Sequence, residues 1–191
     1  MKITKLLLVF VIISSRLIGQ DSLWQKNILK QILTLNLPSK ISYNKTSFIK
    51  TMGGEINESY YGLQFYDTIV LPLVKNEEDF QITLTGFISA KVGTDPMLKK
   101  YSVIVVDTSI GKTQGLFATF TTRDTSEFYK RVYYYVTAAN DQFYLFFACS
   151  PIVNTPNAEI NFFFTSIEFD PFKLKEKSFQ LTPVHLTKDV D

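Results

Sequence analysis

Phe128–Ser150 reads FYKRVYYYVTAANDQFYLFFACS, and this stretch decides the fold class. Two apolar runs, Glu127–Ala138 and Gln142–Ser150, flank the turn Ala139-Asn140-Asp141. So short a connection joins antiparallel strands, because a parallel pair needs a crossover of a dozen or more residues. Side chains alternate between the faces of a strand. In the second run Phe143, Leu145 and Phe147 therefore share one side, and Tyr144, Phe146 and Ala148 the other. In the first run Val132, Tyr134 and Val136 oppose Tyr129, Tyr133 and Tyr135. All four sets are apolar or aromatic, so the sheet is expected to be covered on both faces.

Working outward, Thr113–Thr122 precedes this hairpin as a further strand of the same meander. Beyond it, Ile160, Phe163, Phe164 and Ile167 recur at helical spacing, after Thr155-Pro156 and with Glu159 in the first turn. That pattern predicts a helix laying an aromatic stripe on the sheet, followed from Asp170 by a charged, loose tail. Upstream, Asp95-Pro96 reads as a helix start continued by Met97, Leu98, Tyr101, Ile104 and Val105, although Val103–Val106 also fits a strand. Phe80, Ile82, Leu84 and Ile88 alternate with Gln81, Thr83 and Thr85, which predicts a strand after a turn at Asn76–Asp79. Tyr60–Tyr66 reads as a strand and Lys40–Asn57 as an irregular region. Leu33–Leu37 reads as a short strand stopped by Pro38. Leu23, Trp24, Ile28 and Ile32 predict a short amphipathic helix around Asp21–Gln31.

The segments LNLPSKI (35–41), GKTQGLFATFTT (111–122), the hairpin quoted above and NAEINFFFTSIEFD (157–170) together resemble the PsbP-like family. Residues 20–170 read as a single domain, and the resemblance, which spans roughly Leu33–Asp170, implies an α+β fold, an antiparallel β-sheet covered by helices in an α/β/α sandwich. It also implies an exported, mostly non-enzymatic protein that assists larger assemblies. It carries over no catalytic or metal-binding residue.

The N-terminus adds a compartment. Lys2 and Lys5 precede the apolar run Leu6–Ile13, and the more polar Ser14–Gly19 follows, the pattern of a signal peptide spanning residues 1–19. Cleavage after Gln20 also fits. The apolar run is far shorter than the roughly 20 residues a membrane-spanning helix needs. Removing Lys2, Lys5 and Arg16 from the 20 basic residues leaves 17 against 18 acidic ones, a net charge of −1. The basic footprint of a nucleic-acid binder is absent from that balance. A periplasmic or secreted product is expected, with no stable membrane insertion after cleavage.

Catalytic patterns fail on inspection. Cys149, the single cysteine, cannot form an internal disulfide and sits in an apolar run, as a small buried hydrophobe does. The single histidine, His185, lies in the tail, which leaves no material for a histidine-based triad or a zinc site. Gly111-Lys112-Thr113 lacks the glycine five positions earlier that a phosphate loop requires, since Val106 stands there. Ser42–Lys45 and Ser47–Lys50 match S-x-x-K without its partner motif S-D-N. Glu77, Glu78 and Asp79 lack the spacing of a calcium loop. No catalytic residue, metal or cofactor is therefore expected.

The remaining candidate is aromatic: Tyr129, Arg131, Tyr133 and Tyr135, with Tyr134 between them, as a partner- or ligand-binding group. The favoured expectation is a non-catalytic binding or accessory protein of the bacterial cell envelope with an envelope protein as partner. It requires an exposed apolar patch of several hundred Å². The alternative is a small-ligand binder or hydrolase with a pocket between sheet and helix, which requires convergent polar groups.

Overall fold

In the computed structural model, residues 23–46, 49–66, 77–94, 98–110, 113–140, 142–152 and 158–174 are described. Their strands are β1 (Trp24–Leu29), β2 (Leu33–Pro38), β3 (Ser42–Lys45), β4 (Ile49–Ile56), β5 (Ser59–Tyr66), β6 (Ser102–Ile110), β7 (Thr113–Thr121), β8 (Arg131–Ala139), β9 (Gln142–Ser150) and β10 (Glu168–Phe169). Two helices, α1 (Glu77–Thr94) and α2 (Ala158–Thr165), and a 3-10 turn at Leu98–Lys100 complete the described elements. All strand pairs are antiparallel. One sheet has the order β3-β4-β5-β9-β8-β7-β6 and the other β1-β2-β10.

This is a β-rich fold of two sheets, and it corrects the expected α/β/α sandwich. The meander lies where the alternation placed it, and β8 and β9 are buried on both faces. On one face Phe80, Leu84 and Ile88 of α1 pack with Leu116, Phe120, Val132, Val136 and Leu145. Cys149 is buried in this same layer. On the other face, however, the cover is largely the second sheet. Leu33, Leu35 and Leu37 of β2 join Tyr61, Leu63, Tyr135 and Phe146 of the large sheet, with Ile160, Phe163 and Phe164 of α2 beside them.

The error traces to a turn. Lys30 and Gln31 both have positive φ, 49° and 61°, which makes a two-residue turn of the hairpin-forming kind. Trp24–Leu29, expected as helix, therefore folds back on β2 with Leu29 opposite Leu33 and Trp24 opposite Pro38. A second such turn at Asn57 and Glu58, with φ of 49° and 64°, joins β4 to β5 inside the region read as irregular. Gly54 belongs to β4, where a Cβ would lie 2.1 Å from the Lys40 carbonyl oxygen, so the chain crosses between the sheets at a distance only glycine permits.

Three further expectations change. Phe80–Ile88 is helix, not strand, and Glu77–Asp79 form its first turn rather than a loop. Ser102–Ile110 is strand, the second of the two readings of Val103–Val106; the helix start Asp95-Pro96 lies outside the described residues. Asp170–Leu174, read as the start of a loose tail, turns back on the body: the Asp170 amide donates to Ile32 O (2.8 Å), and Lys173 Nζ donates to Gln31 O (3.0 Å). Residues 1–19 and 175–191, His185 included, lie outside the described residues.

Candidate functional site

The aromatic group does not assemble into one surface. Tyr135 is fully buried, its hydroxyl donating to Thr113 O at 2.5 Å, and burial holds that hydroxyl well above the ordinary tyrosine range. Tyr133 is 3 % exposed and accepts from Arg131 Nη1 at 3.3 Å. Tyr134 points to the opposite layer, its ring edge-on to Phe120 at 5.1 Å. Tyr129 precedes β8 and packs against the α1 layer, its carbonyl accepting from the Tyr101 hydroxyl. Alternation explains the split: successive residues of β8 must serve opposite faces, and both faces are core.

Exposed apolar surface lies elsewhere, along β6, the edge strand of the large sheet. Val106 opposes Phe117 and Ile104 opposes Thr119 in the β6–β7 register, so all four side chains share a face. Phe117 is half-buried, its ring edge-on to Phe164 of α2 at 5.0 Å. The cover stops there, leaving Ile104 64 % and Val106 44 % exposed. No strand among the described residues pairs with the outer side of β6. The run Val103–Val106 carried this signal in the sequence.

Next to the β6 flank, the loop between β7 and β8 is built stiffly. Asp124 Oδ1 accepts from the Ser126 amide (2.9 Å) and hydroxyl (2.6 Å), bonds that hold its carboxyl below the ordinary aspartate range. Lys130 Nζ donates to the carbonyls of Asp124 (2.7 Å) and Glu127. Lys100 Nζ pairs with Glu127 Oε1 at 2.7 Å and Asp124 Oδ2 at 3.6 Å, and its ammonium is pushed up, chiefly by Glu127. The loop presents Phe128, 59 % exposed, to solvent.

A second feature was invisible in the sequence: a cleft of about 450 Å³ over the outer face of the small sheet. Lys26 of β1, Thr34 and Asn36 of β2, Thr165 and Ser166 at the end of α2, and Glu168 of β10 line it. Lys26 opposes Asn36, and Thr34 opposes Glu168. Ser166 Oγ accepts from the Asn36 amide (2.9 Å) and donates to Phe163 O (2.7 Å), while Thr165 Oγ1 donates to Asn161 O (2.8 Å). Lys26 and Glu168 form no ion pair with each other or with any other described residue. The Thr34/Asn36 alternation reads only as the solvated side of Leu33, Leu35 and Leu37, and what closes the cleft comes from 130 residues further along the chain.

Among the described residues no three of His, Cys, Asp and Glu gather closely enough to hold a metal ion, and no helix is long and apolar enough to cross a membrane. No protein-family model matches the chain, and comparison with curated proteins returns no match.

Proposed function

We propose that this chain is an exported, non-catalytic binding or accessory protein of the bacterial cell envelope, contacting a partner protein along the β6 flank. The observation that carries the reading is a nine-residue edge strand with Ile104 and Val106 exposed beside a half-buried Phe117. An unpaired edge offers a row of backbone donors and acceptors, and proteins usually blunt such an edge with lysine, proline or a bulge. Ser102–Ile110 contains no lysine, proline or bulge, and its one charged residue, Asp107, pairs with Leu116 on the face opposite Ile104 and Val106. A partner's extended segment would take its affinity from main-chain bonds and its specificity from the two apolar side chains. The N-terminal pattern Lys2, Lys5 and Leu6–Ile13 supports the compartment.

The test is crosslinking in native cells, capture of the tagged protein and mass spectrometry. One envelope protein is expected in near-equal amount, and Ile104→Lys with Val106→Lys is expected to release it without lowering Tm. Recovery of the chain alone, or capture indifferent to both substitutions, overturns the reading. The cleft over the small sheet favours a second reading, a small-ligand binder, which is compatible with the first.

A further inference from the structure

We infer that β6 pairs with β6 of a second copy of this chain across a two-fold axis at Val105, with Ile104 of each copy opposite Val106 of the other. The inference rests on the reading of the β6 flank as a contact surface, and it names what occupies that flank when no other protein does. The two margins of the large sheet differ. β3 is four residues long, every one of them exposed, and ends in Lys45, a short charged margin of the kind that resists pairing. β6 is nine residues long, carries no lysine, and has no strand on its outer side among the described residues. Pairing β6 with β3 of another copy would propagate from copy to copy, whereas β6 on β6 closes after two.

Strand geometry sets the register. Directly opposed side chains of an antiparallel pair share a face, so only residues of like parity meet across the axis. An axis at Ile104 would set Val106 against Ser102, and one at Val106 would set Ile104 against Thr108. An axis at Val105 sets Ile104 against Val106 twice, so that all four exposed apolar side chains meet one another. Phe117 lies opposite Val106 within each copy, and each new pair continues an apolar row already anchored on α2. The charges permit this approach. Asp107 falls opposite Val103 of the second copy, which leaves the two Asp107 residues four positions, about 13 Å, apart along the strands. That exceeds the screening length of about 8 Å at physiological salt, and a net charge of −1 without residues 1–19 adds little repulsion. A contact one strand wide belongs with transient interfaces, under about 1,200 Å², so another protein's extended segment can displace the second copy.

Sedimentation equilibrium of the purified chain, free of other envelope proteins, tests the pairing. A concentration-dependent monomer–dimer equilibrium is expected. Ile104→Lys with Val106→Lys should weaken it about tenfold or more, since like charges then oppose one another twice. Both side chains are exposed, so Tm should stay at the parent value. Disulfides read the register. Directly opposed Cα atoms lie about 4.5–5.5 Å apart, within the reach of a disulfide, and diagonal ones about 7–8 Å, beyond it. The native Cys149 is buried and does not compete. A mixture of the Ile104→Cys and Val106→Cys chains should therefore crosslink on mild oxidation, while neither does so alone. A chain that stays monomeric up to about 1 mM, a dimer indifferent to the lysine substitutions, or crosslinking by either Cys variant alone overturns the pairing. Capture of an envelope protein by a chain that never dimerises overturns this inference and keeps the accessory reading. A dimer that captures no envelope protein keeps the pairing and overturns the accessory reading.

Discussion

At the scale of single residues, one hairpin in each sheet closes on a positive-φ turn that contains no glycine. Lys30, Gln31, Asn57 and Glu58 all adopt positive φ, a region that costs an ordinary L-residue about 1–2 kcal/mol and glycine almost nothing. Glu58→Gly would create the Asn-Gly pair that such turns prefer, and should stabilise the chain by about 1 kcal/mol in chemical denaturation. A loss of stability there would mean that Glu58 makes compensating contacts in the folded state. Gly54→Ala tests the opposite case. Its Cβ would meet the Lys40 carbonyl, and overpacking of this kind costs about 1–3 kcal/mol. These positions also explain why the strands Trp24–Leu29 and Ile49–Ile56 are hidden in the sequence. A turn of Lys-Gln or Asn-Glu carries no glycine or proline to announce it, so the spacing of Trp24–Leu29 alone points to a helix. Leu33, Leu35 and Leu37 were legible because a strict alternation needs no turn to be seen.

At the scale of elements, α1 is the instructive case. Its sequence contains two patterns at once, an alternation of Phe80, Ile82 and Leu84, and a four-residue spacing of Phe80, Leu84 and Ile88. Burial selects the second: those three residues are in the core, and Ile82 is 63 % exposed. Threonine, isoleucine and glycine are modest helix formers, so packing on the sheet, not propensity, sustains this helix. Ile82→Lys is therefore expected to leave stability within about 0.5 kcal/mol of the parent, while Leu84→Ala costs about 2–5 kcal/mol. Equal losses from both would favour the strand that alternation suggested. The loop between β7 and β8 yields a pH prediction. Because Asp124 ionises more readily in the folded chain, its contribution is present above its unfolded value of about 3.9 and is lost as pH falls through the lower folded one. The Ser126 amide resonance should titrate with a midpoint below that value and become insensitive in Asp124→Asn.

At the scale of the whole molecule, the aromatic excess is core, which is why the candidate site drawn from Tyr129–Tyr135 dissolved on inspection. Residue type announced the rings; only the strand order could say that both of their faces were already occupied. Burial pushes the hydroxyls of Tyr66 and Tyr144 up to about 12 and that of Tyr135 further. A raised folded value contributes stability below the unfolded value of about 10 and loses it above. Alkaline unfolding should therefore begin near pH 10, steepening by about 1.4 kcal/mol per pH unit for each fully buried tyrosine. Tyrosinate absorbance at Tyr135 and Tyr144 should appear together with loss of the fold; gradual ionisation of these two ahead of unfolding would contradict their burial.

The strand order has one more consequence, for how the polypeptide comes into being. β9 lies between β5 and β8, so the ladder β3-β4-β5 and the ladder β6-β7-β8 meet only on the strand made last of the seven. Until Ser150 has emerged from the ribosome, each half shows a bare apolar margin with nothing to cover it. Such a chain cannot settle into its final shape while it grows, and contacts so distant in sequence form slowly. A fragment ending at Ala139 should accordingly remain unfolded or precipitate, and should be rescued by adding residues 140–174 as a separate peptide.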